Sequence, residues 1–417
     1  MSARVLVKGG CVAILLVAVL AAPALGQLPT RYCLLEGSLL VTVEDPTTEI
    51  QLHGTFDLLP SAVEGLYVVQ NFRGFDSAGS VVVRAEGTYR QDDAGQRMVL
   101  NVAVGGSTHL FDSGVQPYYT TLPMIDIVLR PVAGTSRTPR LVVVAAPIVD
   151  VWFSTEVGFH TPNGTAVSDG DALSVFGIVL WTNFELTRNL GIMPVVPDIG
   201  LDALCPAEID EVPWWEAWFS PETSHFSETL GWLQHGDFLS EGGFIVERNQ
   251  SLTWMFAPTS ECDLGLDAIT WGWPCYGWYF STEVDFYSEP LGLTVGHGDL
   301  LCAAHGEIVY TNQELLARFR PVEPDYDYGL DAVYLWPSGH IWFSTEEPFR
   351  SGTYGWIGDG DLLSNDGHVI CRNLDLVRRF RPVEDLHNFG LDALHIVPIL
   401  DDDPDDDGEL SELGVAP

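Results

Sequence analysis

Carboxylates are the side chains that this sequence offers for chemistry. Glu156, Glu222, Glu283 and Glu346 recur at intervals of 66, 61 and 63 residues, and each is accompanied by repeated aspartates. Two carboxylates at a suitable separation are all that a glycosidase requires, and carboxylate and carbonyl oxygens are what calcium takes. The two uses make different demands. A glycosidase needs an asymmetric pair with divergent pKa values, whereas groups present in four copies serve a task common to all four. The repeated acids are therefore expected to be structural, with calcium as their alternative use. Asp after Gly at a strand edge, Asn at a helix start and Ser-Thr beyond a strand all bond nearby backbone groups and set turns.

Other chemistries are excluded by composition. Lys8 is the only lysine in the chain, so neither a P-loop nor a pyridoxal Schiff base can be built. No Gly-x-Ser-x-Gly elbow or His-Glu-x-x-His helix is present. The 11 histidines are scattered, and His297 and His305 read as loop residues rather than ligands. The chain carries 19 basic and 58 acidic residues. Such a surface repels nucleic acid, keeps an exported protein soluble and attracts divalent cations.

The elements that position these acids come from a duplication. Trp152-Phe153-Ser154-Thr155-Glu156 is repeated at Trp218 to Glu222, Tyr279 to Glu283 and Trp342 to Glu346. Each copy is followed by Gly-Asp-x-Leu at Gly170, Gly236, Gly298 and Gly360, then by Asn183, Asn249, Asn312 or Asn373 with leucine three residues on. Gly-Leu-Asp-Ala closes the series at Gly200, Gly265, Gly329 and Gly390. In the fourth copy, Leu330 to Trp336 and His340 to Thr345 flank a Pro-Ser-Gly turn and read as a hairpin. Leu362 to Ser364 and His368 to Cys371 flank Asn365-Asp366-Gly367 and read as another. Asn373 is placed to N-cap a short helix over 374–380.

A unit of about 63 residues with four strands and a short helix cannot bury its apolar face alone and must stack on its neighbours. Trp152, Trp218, Tyr279 and Trp342 are expected in equivalent inward positions. Four such units predict a four-bladed propeller, with an open stack of repeats as the alternative. A repeat that opens on an Asp-Ala strand, runs into an aromatic strand and returns through a helix and a proline resembles the hemopexin-like four-bladed propeller. In that family the Asp-Ala strands line the central channel and their backbone can hold ions. The matching positions are Asp202-Ala203, Asp267-Ala268, Asp331-Ala332 and Asp392-Ala393. The Gly-Asp-x-Leu and Phe-Ser-Thr-Glu motifs are not that family's signature, so haem binding is not implied.

The predicted architecture is all-β in four parts. Residues 1–26 read as a signal peptide: Arg4 and Lys8, an apolar run from Cys11 to Ala22, then Pro23 to Gly26 before Gln27. Removing the two charges of Arg4 and Lys8 from the −39 of the chain leaves −41. Residues 27–146 lack the repeat and alternate in strand fashion, as at Met98 to Val104, which predicts a β-sandwich or barrel. Residues 147–398 hold the four repeats. Residues 399–417 are an acidic low-complexity tail. There Asp403, Asp405 and Asp407 precede Gly408 and Glu409, a pattern that looks like the first half of an EF-hand or dockerin-type calcium loop. Gly414 stands where the bidentate acid of such a loop would fall.

Six cysteines follow Gln27, which permits 15 connectivities. No stretch after residue 26 is long and apolar enough to span a membrane. Together these features predict an exported, extracellular or periplasmic protein: a non-catalytic binding or structural platform, calcium-stabilised, whose partner is an extracellular protein or glycan. A secreted glycan hydrolase and a carbohydrate-binding protein, using some of the 13 tryptophans as stacking faces, are the rival classes.

Overall fold

The computed structural model describes residues 31–398, apart from 36–38, 42–48, 64, 77–79, 93–94, 105–106, 117–123, 133–140, 197, 209–214, 260–262 and 273–274. Residues 1–26, expected as a signal peptide, and the tail acids Asp403, Asp405, Asp407 and Glu409 lie outside the described residues. Within them no helix is long and apolar enough to cross a membrane.

The N-terminal part is a barrel, not a sandwich. Eight antiparallel strands, Arg31–Leu34, His53–Pro60, Leu66–Phe75, Val81–Asp92, Gly95–Val104, Ser107–Asp112, Ile125–Pro131 and Leu141–Pro147, pair in chain order. The first then closes on the last, with Tyr32 opposite Pro147. Closure removes both sheet edges, which a sandwich would leave to be protected. Alternation sets the two faces. Met98, Leu100 and Val102 point inward with Val83, Ala85 and Tyr89, while Arg84, Glu86 and Arg90 face out. Tyr32, Phe56 and Phe72 stack through the interior at centroid separations of 5.4 and 5.3 Å.

The repeats form a closed ring of four blades, so the open stack is ruled out. Blade two is Ala203–Leu204, Trp218–Ser220, Phe238–Ser240 and Phe244–Glu247. Blade three is Ile269–Gly272, Gly277–Phe280, Leu300–Cys302 and Glu307–Tyr310, and blade four is Ala332–Leu335, Ile341–Ser344, Leu362–Ser364 and His368–Cys371. Blade one combines Val149–Phe153, Ala172–Ser174 and Ile178–Trp181 with Leu394–Pro398 from the far end of the ring, paired from Val149 opposite Pro398 to Phe153 opposite Leu394. The inner strands contact one another in a circuit that Leu394–Pro398 completes.

Registers repeat from blade to blade. Trp152, Trp218, Tyr279 and Trp342 stand opposite Ser174, Ser240, Cys302 and Ser364. Trp152, Tyr279 and Trp342 are buried and Trp218 is half-buried. Each core lies between two blades, as stacking requires. Ala268, Tyr279 and Leu300 of blade three, for example, pack with Val333, Phe343 and Leu363 of blade four. The barrel is seated on blades four and one through Leu35, Met124 and Ala146, which share a core with Trp342, Leu362 and Val151. Cys275 and Cys302 form a disulfide within blade three, while Cys33, Cys205 and Cys371 are free thiols and Cys262 lies outside the described residues.

Two details differ from the sequence reading. Each repeat carries an additional two-stranded hairpin, such as Phe349–Ser351 with Gly355–Ile357. The fourth helix is Asn373–Leu376, shorter than 374–380, and its N-cap is Arg372 rather than Asn373.

Candidate metal centre

The repeated polar residues divide into a group whose bonds are filled and a group whose bonds are not. The aspartate of Gly-Asp belongs to the first. In blade four Asp361 accepts from the Gly358 N–H at 3.0 Å, the Asn373 N–H at 3.0 Å and Nη1 of Arg372 at 2.6 Å. In blade three Asp299 accepts from the Gly296 N–H at 3.0 Å and the Asn312 N–H at 3.1 Å. This carboxylate thus ties a turn to a helix start, where unpaired N–H groups and the helix dipole both favour it.

The asparagine bridges onward to the next blade. Asn312 donates from Nδ2 to the Gly329 carbonyl at 3.0 Å, and its Oδ1 accepts from the Tyr328 N–H at 3.1 Å. Asn249 and Asn373 repeat this pair of bonds, whereas Asn183 turns back to the Gly170 carbonyl at 3.4 Å. The serine after Phe latches adjacent blades. Ser154, Ser220, Ser281 and Ser344 donate to the carbonyls of Leu201, Leu266, Leu330 and Leu391 at 2.8, 3.0, 2.7 and 2.9 Å. These findings give the repeated Gly-Asp, Asn and Ser residues the structural task expected of them.

The aspartates of Gly-Leu-Asp-Ala form the second group. Asp202, Asp267, Asp331 and Asp392 stand at the starts of the four inner strands, at one end of the ring's centre, and are between 6 and 9% exposed. In each, Oδ2 is buried and has no hydrogen-bond partner. Burial pushes all four carboxyls well above the ordinary range, and their mutual repulsion adds to it: Asp202 feels Asp267 and Asp392, and Asp331 feels Asp392 and Asp267. A ligand oxygen of Glu156 lies within 4.8 Å of those of Asp331 and Asp392.

Glutamates complete the surround. Glu156, Glu222, Glu283 and Glu346 lie against Gly390, Gly200, Gly265 and Gly329, each of which has a positive φ. At Gly329 a Cβ would stand 2.5 Å from atoms of Glu346, so both the backbone angle and the glutamate require glycine. Burial first, then Asp359, Glu346 and Glu222, push Glu156 up to about 7. What the arrangement can do chemically follows from the donor set. Buried carboxylate oxygens without a hydrogen-bond partner are hard donors whose charge protons or a divalent ion would neutralise, and Glu156, Asp331 and Asp392 bring one ligand oxygen each within 4.8 Å of the others.

The histidines that read as loop residues separate. His305 pairs with Glu307 at 3.5 Å on an exposed loop. His297 instead sits at the junction of blades three and four, 3.6 Å from Glu346. Its counterpart His235 is held between Glu283 at 2.7 Å and Asp263 at 3.4 Å. The residue preceding each Gly-Asp is thus a junction residue, Asp169, His235, His297 or Asp359 in turn, and that alternation was the sequence signal for it.

No family model and no curated protein matches the chain. Among solved structures, the chain is similar to one described as the extracellular domain of a hybrid two-component system from B. thetaiotaomicron, at 11% identity and a TM-score of 0.20, over 76% of this chain and 50% of that one. The chain spans half the length of the structure it matches.

Proposed function

We propose that this protein is an exported, non-catalytic binding scaffold whose propeller is locked by an axial divalent cation, and that it presents its blades to an extracellular protein or glycan. The observation that carries the cation is the set of four buried, partnerless Oδ2 atoms of Asp202, Asp267, Asp331 and Asp392. Calcium is the ion whose preference for many oxygen ligands in flexible geometry suits the set. It is a second candidate beside the site expected from Asp403, Asp405, Asp407 and Glu409, which lie outside the described residues. The non-catalytic reading is supported by the use of the repeated acids: one set is spent on backbone N–H groups, and the other is nearly equivalent around the axis.

The test is thermal unfolding in millimolar calcium against sodium at matched ionic strength, since general screening also stabilises an acidic chain. An ion bound only by the native form adds about 2.7 kcal/mol at one hundred times its dissociation constant. The calcium-specific rise in Tm is expected to persist on truncation after Leu400 and to disappear in Asp331→Asn/Asp392→Asn. Equal Tm values in the two salts, or an effect lost with the tail, would remove the axial ion from the account.

A glycan is the partner class that one further observation favours. The small hairpins of blades two and four expose Trp232 and Trp356, each about two-thirds exposed, and blade three exposes Tyr287. Trp232 is braced edge-on by Phe226 at 5.9 Å, and its counterpart Trp356 stands opposite Arg350. Rings held at repeated positions are suited to stacking on sugar faces. Binding on a glycan array that survives Trp232→Ala/Trp356→Ala would exclude them as the contact.

A further inference from the structure

The junction between blades three and four departs from the other three in a way that adds ligands. His297 replaces the aspartate found there in blades one and four, and Asp327 precedes the inner strand of blade four as Asp198 and Asp263 precede those of blades two and three. The third member is Asp285. The matching positions are Gly158, Ser224 and Pro348, so this carboxylate belongs to the third repeat alone.

The geometry brings these residues together. Nδ1 of His297 lies 2.9 Å from Oδ1 of Asp285, and one ligand atom from each of Asp285, His297 and Asp327 falls within 4.8 Å of the others. Oε2 of Glu346 approaches Nε2 of His297 at 3.6 Å from the blade-four side. Asp327 reaches the cluster because Gly296 and Gly298 leave room for it. A Cβ on either glycine would stand 2.2 or 2.1 Å from a carboxylate oxygen of Asp327. His297 is about one-quarter exposed, Glu346 about one-half and Asp285 more than one-half, so an ion from solvent has a path in.

His235 marks the contrast. Like His297, it turns its two nitrogens to two different carboxylates, Glu283 and Asp263, but among the described residues no set of three ligand atoms gathers around it as Asp285 and Asp327 do around His297. Ser224 stands where Asp285 would supply a further ligand, and its Oγ accepts from the His235 N–H at 3.1 Å, as Asp285 accepts from the His297 N–H at 2.9 Å.

We infer that Asp285, His297 and Asp327 form a borderline transition-metal site of the zinc class that staples blade three to blade four. An imidazole nitrogen with carboxylate oxygens suits Zn2+ over Ca2+, and three such ligands leave one position of its tetrahedral coordination for water. The site is distinct from the axial carboxylates in donor type, and either can exist without the other.

The experiment is a titration of the full chain with Zn2+ in millimolar calcium, which occupies oxygen-only sites, followed by Co2+ substitution read as visible absorption. The wild type is expected to take up one equivalent of Zn2+ tightly and to give the visible bands of low-coordinate, nitrogen-ligated Co2+. His297→Gln and Asp285→Asn should each weaken that equivalent about tenfold or more and abolish the Co2+ bands, because even partners beyond the ligands cost that much. Asp285 is exposed, so its variant retains the fold and keeps the test decisive. His235→Gln should leave both readouts unchanged. Zinc uptake and Co2+ bands that persist in His297→Gln and Asp285→Asn, or no tight equivalent in the wild type, would overturn the site.

Discussion

The hydroxyl of Ser344 donates to the carbonyl of Leu391 at 2.9 Å, and this bond joins the last repeat to the strand that completes the first blade. Three equivalent serines join the other neighbours, but only here does the bond close the ring, since Leu391 leads directly into Leu394–Pro398 and its pairing with Val149–Phe153. Both groups are buried. Removing the hydroxyl leaves a buried carbonyl unsatisfied, at a cost of about 1–3 kcal/mol. Ser344→Ala is expected to lower the urea midpoint accordingly, and Ser344→Thr to restore part of the loss. An unchanged midpoint in Ser344→Ala would show that the latch contributes nothing.

Two aspartates in one blade should answer the same substitution with opposite signs. Asp361 accepts three bonds, one of them from an arginine, and Asp361→Asn replaces an acceptor with a donor that faces N–H groups. A loss of about 1–3 kcal/mol follows. Asp331 is buried with an oxygen that has no partner and repels Asp392 and Asp267, so Asp331→Asn should stabilise the metal-free protein. Denaturation of both variants in a chelator checks the pair. Destabilisation of both would mean that the axial aspartates are held by bonds the present geometry does not contain.

The duplication was legible because its landmarks are side chains with fixed tasks. Gly298 must admit Asn312, whose Nδ2 a Cβ would meet at 2.4 Å, and Asp299 must bond the start of the helix, so neither drifts between copies. The phase of the blades was legible in the fourth copy, whose strands between Leu330 and Cys371 form blade four, but the closure of the ring was not. A periodic sequence has no marked origin, and Gly-Leu-Asp-Ala at 390–393 reads as the end of repeat four although it introduces the inner strand of blade one. The helix cap was misplaced for a related reason. Asn312 is committed to Gly329 and Tyr328 in the next blade, which leaves the preceding Thr311 to cap the helix in a reciprocal bond with Glu314. His297 reads as a loop residue because its partners Asp327 and Glu346 come from a neighbouring blade, 30 and 49 positions away.

The disulfide offers a test that leaves every carboxylate in place. Cys275 and Cys302 are 27 residues apart and join two parts of blade three. Closing a loop of that length removes chain entropy from the unfolded state worth about 3.5 kcal/mol. Reduction, or Cys275→Ser/Cys302→Ser, should lower the denaturation midpoint by a corresponding amount. Unfolding with and without a reductant measures it, and identical midpoints would mean that the cross-link does not constrain the unfolded chain.

The junction of blades one and two contributes to the pH dependence of the metal-free protein. Burial, opposed by a bond from the Gly200 N–H and reinforced by Asp169, pushes Asp198 up to about 6. Burial, then Asp169 and Asp198, push Glu222 up to about 7. The unfolded chain ionises these groups near pH 4. A carboxyl whose pKa is raised on folding binds its proton more tightly in the native state, so its contribution is full below the unfolded value and is lost as pH rises through the folded one. Stability should therefore fall between about pH 4 and pH 7 on account of this pair. His395 acts in the opposite sense over the same range: burial pushes it down to about 4, so the native state is favoured as pH rises. The two effects are separated by substitution. Glu222→Gln removes one falling contribution and should make the stability of the chelated protein rise more steeply, or fall less, from pH 4 to pH 7 than that of the wild type. Urea midpoints at unit pH steps check it. Parallel profiles for the two proteins would mean that Glu222 titrates alike in the folded and unfolded chains, and would remove the crowding of Asp169, Asp198 and Glu222 as a source of strain at this junction.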